Sequence, residues 1–294
     1  ILTNIEEEHL DYFKNLAHIL KVFKKYIGQV KEAIVANGED KNIWQVLKKS
    51  KIPCLPADRK NPASAQAASF AEVATKAESA GKQKPKIVLY SLKDKDILKI
   101  KKILKVPGEH NVSNALAALS AARLLGINDK IALKALSEYK GVWRRFEERE
   151  ADINGKNIKI ISDYAHHPTE IKATLQAAQE KFPQKNIVVV FQPHQYQRTF
   201  YLFDYFVRVL QGAHRRFSIS KLIITDIYDV PGRENQEIKK KVSAQKLIDA
   251  INRTWAFYLP KDKLVNYLKR NLKAGEVVVI MGAGDIYKLV DELK

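Results

Sequence analysis

A single cysteine, Cys54, stands in 294 residues. One thiol excludes an internal disulfide and any cysteine-rich zinc site. Long apolar runs are missing as well. The longest, such as IVVVF (187–191) and VVVIM (277–281), fall far below the roughly 18 residues of a membrane-spanning helix, so no membrane insertion is expected. The first residues, ILTNIEEEHLDYF, carry acids where a secretory leader carries lysines, and a cytoplasmic protein is the simplest expectation. No Gly-x-x-x-x-Gly-Lys-[Ser/Thr] phosphate loop occurs, AGKQ and NGKN being the nearest strings. That excludes a self-contained P-loop enzyme for the chain as it stands. There is no Gly-x-Ser-x-Gly nucleophile elbow either. The chain starts at Ile1 instead of methionine, within what reads as a strand running into a loop; this predicts a piece of something longer.

What is present is apolar enough to fold: 46% of residues are hydrophobic, and the length fits about two domains. Bases outnumber acids, 51 against 33, for a net charge of +18, an excess that attracts anions. The lysines are nevertheless scattered singly and in short clusters (KVFKK, LKKSK, IKKIL, IKKKV), with no basic stripe of interleaved aromatics. They read as solvated surface, and no nucleic acid is expected as a partner.

Apolar spacing predicts a helix from Asn15 to Val30, a strand within 32–40, a short helix over NIWQVLKKS and a strand over 86–92. Residues 58–86 hold eight alanines and read equally as a weak surface helix or a linker-like insertion. SNALAALSAARLLG (113–126) predicts a strong helix closed by Gly126, and a second helix follows over 128–138. Beyond a boundary near Trp143–Phe146 the texture becomes regular: strands at 158–162, 187–191, 222–227 and 276–281 alternate with helices at 168–181, 199–211, 243–252, 261–272 and 284–293. Such alternation predicts an α/β, doubly wound, mostly parallel (Rossmann-like) sheet, whose ligands lie beyond the carboxyl ends of the strands.

Chemically loaded stretches fall at that edge. DYAHHPTE (163–170) places Asp163 where acids accept hydrogen bonds from ribose hydroxyls, although Asp163 or His167 also reads as an ordinary helix cap. Two adjacent histidines in one turn do not converge easily on a zinc ion. FQPHQYQRT (191–199) offers His194 and, four residues on, Arg198, whose planar fork suits a carboxylate or phosphate. PGEHNVSNALAA (107–118) sets His110, Asn111 and Asn114 at a helix start; amides both donate and accept, as the adenine edge does, while capping explains only one of the three. His9 sits among Glu6, Glu7, Glu8 and Asp11, as a magnesium ligand would. In MGAGDIYKL, Gly282 and Gly284 admit either a phosphate or merely a close backbone.

In order along the chain, TNIEEEHLDYF, VPGEHNVSNALAA, GVWRRFE, DYAHHPTEI, FQPHQYQRT and MGAGDIYKL resemble the Mur ligases. The resemblance runs from Thr3 to the C-terminus and weakens over 40–105 and 212–260. It implies the second half of a central ATP-binding domain (1–143) followed by a C-terminal domain (144–294), with the UDP-binding domain and P-loop in a missing N-terminal part of the same enzyme. The implied activity is ATP-dependent ligation in peptidoglycan precursor synthesis. L-alanine is joined to UDP-N-acetylmuramate through an acyl phosphate, with Mg2+ on the phosphates, and the 294 residues alone are inactive. Residue by residue, the resemblance makes His9 a magnesium ligand and puts His110, Asn111 and Asn114 on the adenine side. Arg145 falls to the ATP phosphates and Asp163 to the ribose. Tyr164, His194 and Arg198 fall at the amino-acid and acyl-phosphate end, Arg198 pairing with the alanine carboxylate. Which of His166 and His167 meets ligand stays open. One departure is Gln195, where some relatives carry a second arginine. The alternatives are a recycling ligase that attaches a peptide to the same nucleotide sugar, and a non-catalytic module holding nucleotide or nucleic acid.

Overall fold

A computed structural model describes residues 1–50, 54–55 and 85–293. They form two compact units: Ile1–Glu7 with Tyr12–Lys105 and Glu109–Tyr139, and Glu8–Asp11 with Val106–Gly108 and Lys140–Lys294. The alanine-rich stretch lies, over 58–84, outside the described residues.

The first unit contains α1 (Leu16–Ile27), β1 (Ala33–Asn37), α2 (Lys41–Ser50), β2 (Cys54–Leu55), β3 (Lys86–Tyr90), α3 (Ile97–Ile103), α4 (Glu109–Leu124) and α5 (Asp129–Glu138). Its three strands are parallel, in the order β1-β3-β2. Successive β1 residues point to opposite faces, which divides the core. Ile34 and Ala36 join Ile19, Ile27, Ile43 and Leu47 on one side; Val35 joins Ile100, Leu116 and Leu119 on the other. The sheet is thus covered on both faces. Helix α4 begins four residues before the predicted Ser113, because Glu109–Asn111 supply its first turn. Gly126, at φ +73°, closes it as expected.

The second unit runs β4 (Glu147–Ile153), β5 (Lys156–Asp163), α6 (Pro168–Lys181), β6 (Ile187–Phe191), α7 (Tyr196–Tyr201), α8 (Phe203–Gln211), α9 (Ala213–Phe217), β7 (Ile219–Ile224), α10 (Gln236–Lys241), α11 (Ala244–Ile251), β8 (Ala256–Tyr258), α12 (Leu264–Asn271), β9 (Val277–Met281) and α13 (Leu289–Glu292). The six strands order as β4-β5-β9-β6-β7-β8. All neighbours are parallel except β4, which runs antiparallel to β5. Continuous apolar runs mark strands buried on both faces. Val189, Val279 and Met281 accordingly pack with α6 and α8, whereas Val188, Val190 and Val278 pack with α12 and α13 residues.

The doubly wound, mostly parallel architecture predicted from the alternation is the one found. The short elements α9, α10 and β8 were not expected, the helix expected over 284–293 is α-helical only at α13, and three further differences stand out. The predicted helix over 199–211 is two helices, broken at Leu202. The third strand lies at 219–224 instead of 222–227. The hairpin β4–β5 was not expected; Asn154 and Gly155, at φ +55° and +76°, form its two-residue turn, which requires left-handed conformations at both positions.

Candidate active site

Strand β9 sits between β5 and β6, so the chain leaves β5 and β6 on either side of a shared crevice at their carboxyl ends. Asp163 is the last residue of β5 and is buried. Its Oδ2 accepts the Phe146 amide at 2.7 Å and its Oδ1 the Ala165 amide at 2.8 Å. Burial raises the carboxyl's pKa, against the pull of those two amides and of Arg145.

The adjacent histidines divide their work. His167 is the N-cap of α6: its Nδ1 accepts the Thr169 amide at 3.3 Å. Pro168 follows at the first helical position, where no amide hydrogen is needed. Glu170 reaches back to accept the amides of His166 and His167 at 3.0 and 3.1 Å, completing a capping box. His166 keeps its Nδ1 near the cap, 2.9 Å from the Tyr164 carbonyl and 3.2 Å from Glu170 Oε2, and turns its other face elsewhere. Its ring lies 5.3 Å from that of Tyr164 and 5.9 Å from that of His194, and its Nε2 is 4.0 Å from Glu8 Oε2. Burial lowers its pKa below the ordinary histidine value.

Arg198, on α7 just past β6, is only 7% exposed and is the centre of the cluster. Its Nη1 donates to the His194 carbonyl at 2.8 Å and contacts His194 Nδ1 at 3.0 Å. A guanidinium cannot accept a hydrogen bond, so Nδ1 is the acceptor and the ring's proton sits on Nε2. On its other edge Arg198 donates through Nε (2.9 Å) and Nη2 (2.6 Å) to Glu8 Oε1. Burial opposes charge on Glu8, but Arg198 outweighs it and holds the carboxyl below its ordinary range. His194 stacks on Tyr228 at 5.4 Å, nearly parallel. Burial, then the charge of Arg198, pushes its pKa down to about 4.

His194 is therefore neutral at physiological pH, a fixed Nε2–H donor. The sign of the linkage follows. A histidine whose pKa falls on folding supports the fold above about pH 6.5 and withdraws that support as pH drops toward about 4. Because the ring is partly exposed, the loss is expected to be on the order of 1–2 kcal/mol. Urea titrations between pH 7 and 4.5 should show a shallower decline for His194→Gln than for wild type. Identical slopes would remove the assignment.

Tyr164 is held between two guanidiniums, those of Arg144 at 4.8 Å and Arg145 at 5.2 Å from its ring. Arg145 is half exposed and lies 3.6 Å from Glu170. Arg144 is buried: its Nη2 donates to the carbonyls of Gly282 and Gly284, and its guanidinium also lies 4.4 Å from the Tyr287 ring. His9 is exposed, at φ +53°; its neighbour Glu8, not His9, reaches Arg198. In the first unit, His110 and Asn114 are exposed and Asn111 half-buried in the opening turns of α4. Asn111 and Asn114, three apart, share a helix face.

Residues 144–284 match the family described as "Mur ligase, glutamate ligase domain" and residues 1–122 match "Mur ligase middle domain". The chain belongs to the Mur ligase family. It is 38% identical over 296 residues to the UDP-N-acetylmuramate–L-alanine ligase of Acetivibrio thermocellus, an alignment covering 98% of this chain and 58% of that protein. To the ligase of the same name from Aquifex aeolicus it is 34% identical over 99% of this chain and 59% of that protein. The crystal structure of the UDP-N-acetylmuramate–alanine ligase from Thermotoga maritima superposes with a TM-score of 0.60 at 25% identity, covering 99% of this chain and 58% of that one. A MurF ligase from Thermotoga maritima in complex with ADP superposes at 0.59 with 13% identity, over 99% of this chain and 61% of that one. The chain thus spans under three-fifths of the curated relatives named above.

In this Mur ligase chain the structure gathers Asp163, Tyr164, His194 and Arg198 at one sheet edge, where their positions after strands put them; Arg145 joins them from just before β4, which runs antiparallel to β5. Sequence reasoning missed Glu8 and Arg144 as members of the cluster. GVWRRFE points equally to either arginine, and nothing local separates the buried one from the exposed one. Glu8 is visible only as one of three consecutive glutamates; its partner lies 190 residues away. Among the described residues, no group of three or more His, Cys, Asp and Glu is placed to hold a metal ion.

Proposed function

We propose that this chain is the second half of the central ATP-binding domain (1–143) and the C-terminal domain (144–294) of an ATP-dependent ligase joining L-alanine to UDP-N-acetylmuramate. The observation that carries the reading is the Arg198 guanidinium at the carboxyl end of β6, already holding a carboxylate and backed by a neutral histidine donor. The ligand carboxylate of L-alanine pairs with Arg198. His194, protonated on Nε2, donates toward the oxygens of the acyl phosphate; with Nδ1 taken by Arg198 it has no lone pair left to act as a base. Tyr164, fixed between two arginines, lines the same end. Arg145, exposed and free to swing from Glu170, meets the ATP phosphates. His110, Asn111 and Asn114 take the adenine, and Asp163 the ribose, through the lone pairs its two amide bonds leave. His166, not His167, is the histidine that meets ligand, since His167 is committed to its cap.

In the reaction, the terminal phosphoryl group of ATP passes to the muramoyl carboxylate and ADP departs. The alanine amine then attacks the carbonyl carbon, phosphate leaves, and the proton the nitrogen sheds passes to the departing phosphate or to water. Magnesium neutralises the phosphates when bound. The ion would be held mainly by phosphate oxygens and water, the donors it prefers, with His9 as the protein residue beside it. Among the described residues no helix is long and apolar enough to cross a membrane, which accords with work in the cytoplasm on a soluble nucleotide sugar.

The full-length parent should release phosphate from ATP only when UDP-N-acetylmuramate and L-alanine are both supplied. Release driven by a tripeptide in place of L-alanine would identify a recycling ligase instead, and no release with either would end the ligase reading. The 294 residues alone, with no P-loop string, should give no turnover.

A further inference from the structure

The Arg198 fork has five N–H donors, and the structure accounts for four of them. Two, on Nε and Nη2, converge on Glu8 Oε1 at 2.9 and 2.6 Å. The two on Nη1 go to the His194 carbonyl and Nδ1 at 2.8 and 3.0 Å. One Nη2 hydrogen is left. A carboxylate held in bidentate fashion needs two parallel donors on one edge of the guanidinium. One edge is closed by Glu8, and the other is half taken by His194. A second carboxylate brought to Arg198 with Glu8 in place would also sit beside a like charge.

The short stretch that delivers Glu8 is anchored just after it in the chain. Asp11 pairs with Arg233, and Leu10 packs against the core on the α6–α8 side of the sheet. His9, between Glu8 and that anchor, carries a positive φ of 53°. The Glu8–Arg198 pair itself is only partly shielded, with side-chain exposures of 29% and 8%. The Glu8 carboxylate, the more exposed partner, can pass to solvent when it leaves, provided a second carboxylate takes its place on the buried guanidinium.

We propose that Glu8 is the resident occupant of the Arg198 carboxylate fork, and that a substrate carboxylate reaches Arg198 by displacing it. This rests on the assignment of Arg198 to a substrate carboxylate in the proposed function. Glu8 then sets the apparent affinity of the site: an incoming carboxylate binds only the fraction of molecules whose fork is open, and its measured affinity is lowered by that fraction. Until displaced, Glu8 also keeps the guanidinium paired and pointed into the cluster.

The test is a titration of the 15N-labelled 294-residue chain with propionate, following the backbone amide signals of the cluster (Glu8, His166, His194) in every variant, and the Arg198 Nε–H signal, assigned by its loss in Arg198→Lys, wherever Arg198 is present. Glu8→Gln and Glu8→Ala are expected to bind propionate about three- to ten-fold more tightly than wild type, a gain of roughly 0.7–1.4 kcal/mol. Arg198→Ala should abolish the saturable response. Folding of each variant is checked by its amide spectrum, and two Glu8 variants guard against an effect of the new side chain. Equal or weaker binding in both Glu8 variants, lost in Arg198→Ala, would overturn the proposal while leaving Arg198 as the carboxylate site. Saturable binding retained in Arg198→Ala would overturn both. A parallel titration with L-alanine separates one further case. If Glu8→Gln weakens L-alanine but leaves propionate unchanged, Glu8 meets the amine, and displacement is wrong.

Discussion

Arg144→Ala should destabilise the second unit by about 3 kcal/mol or more. The side chain is 5% exposed, and its Nη2 donates to the carbonyls of Gly282 and Gly284, after β9. Its removal leaves two buried acceptors without a donor, each worth about 1–3 kcal/mol when orphaned. It also deletes the plate between the rings of Tyr164 and Tyr287, where each cation–ring contact contributes about 0.5–1 kcal/mol or more. Lysine does not rescue it, since one ammonium cannot lie flat between rings and bridge two carbonyls at once. Burial lowers the guanidinium's own pKa. Urea midpoints for Arg144→Ala, Arg144→Lys and Arg145→Ala measure the difference. Arg145, half exposed, should change stability by under about 1 kcal/mol. Equal losses at 144 and 145 would show that Arg144 is not the clamp.

Gly284→Ala should be nearly as damaging, and it tests the site as well as the fold. A Cβ there would lie 2.5 Å from the Tyr228 ring and 2.6 Å from Gln192 Oε1. Overpacking of this severity costs about 1–3 kcal/mol, occasionally more. Tyr228 cannot yield without moving His194, stacked on it at 5.4 Å. The variant should therefore lose stability and let the His194 pKa rise from about 4 toward its ordinary value. Histidine NMR titration reads the second effect independently of the first. A stable variant with an unmoved His194 would mean that the ring stack has slack. The contacts also decide what the two glycines of MGAGD are for. Gly282, whose Cβ would stand 2.8 Å from the Gln192 carbonyl, and Gly284, hard against the Tyr228 ring, are both required by close packing.

Much of this fold was legible because its signals are local. Pro168 at the helix start, Glu170 three positions past the cap and the apolar spacing behind them place α6 at Pro168–Lys181, the boundaries expected. The runs IVVVF and VVVIM announce strands covered on both faces. Strand β4 was not legible: in EEREADI only Ala151 and Ile153 reach the core, so there is little apolar alternation to find. The turn Asn154-Gly155 was the available sign. The site divides along the same line. Asp163, His194 and Arg198 follow from where strands end, a local property. That Arg144 is the buried arginine of its pair, and that Glu8 closes on Arg198, depend on which distant segments approach. No spacing within either motif encodes that.

The margins of the larger sheet carry a consequence for the company it keeps. On one flank, β4 presents Glu147, Glu148 and Glu150 already matched to Arg149, Lys181 and Lys159; on the opposite flank β8 runs for three residues. Another copy seeking to add a strand would have to break matched charges at one border and would find too short a template at the other. Such borders discourage chain-to-chain strand addition, so this unit is built to stay dispersed even where its sheet is left uncapped.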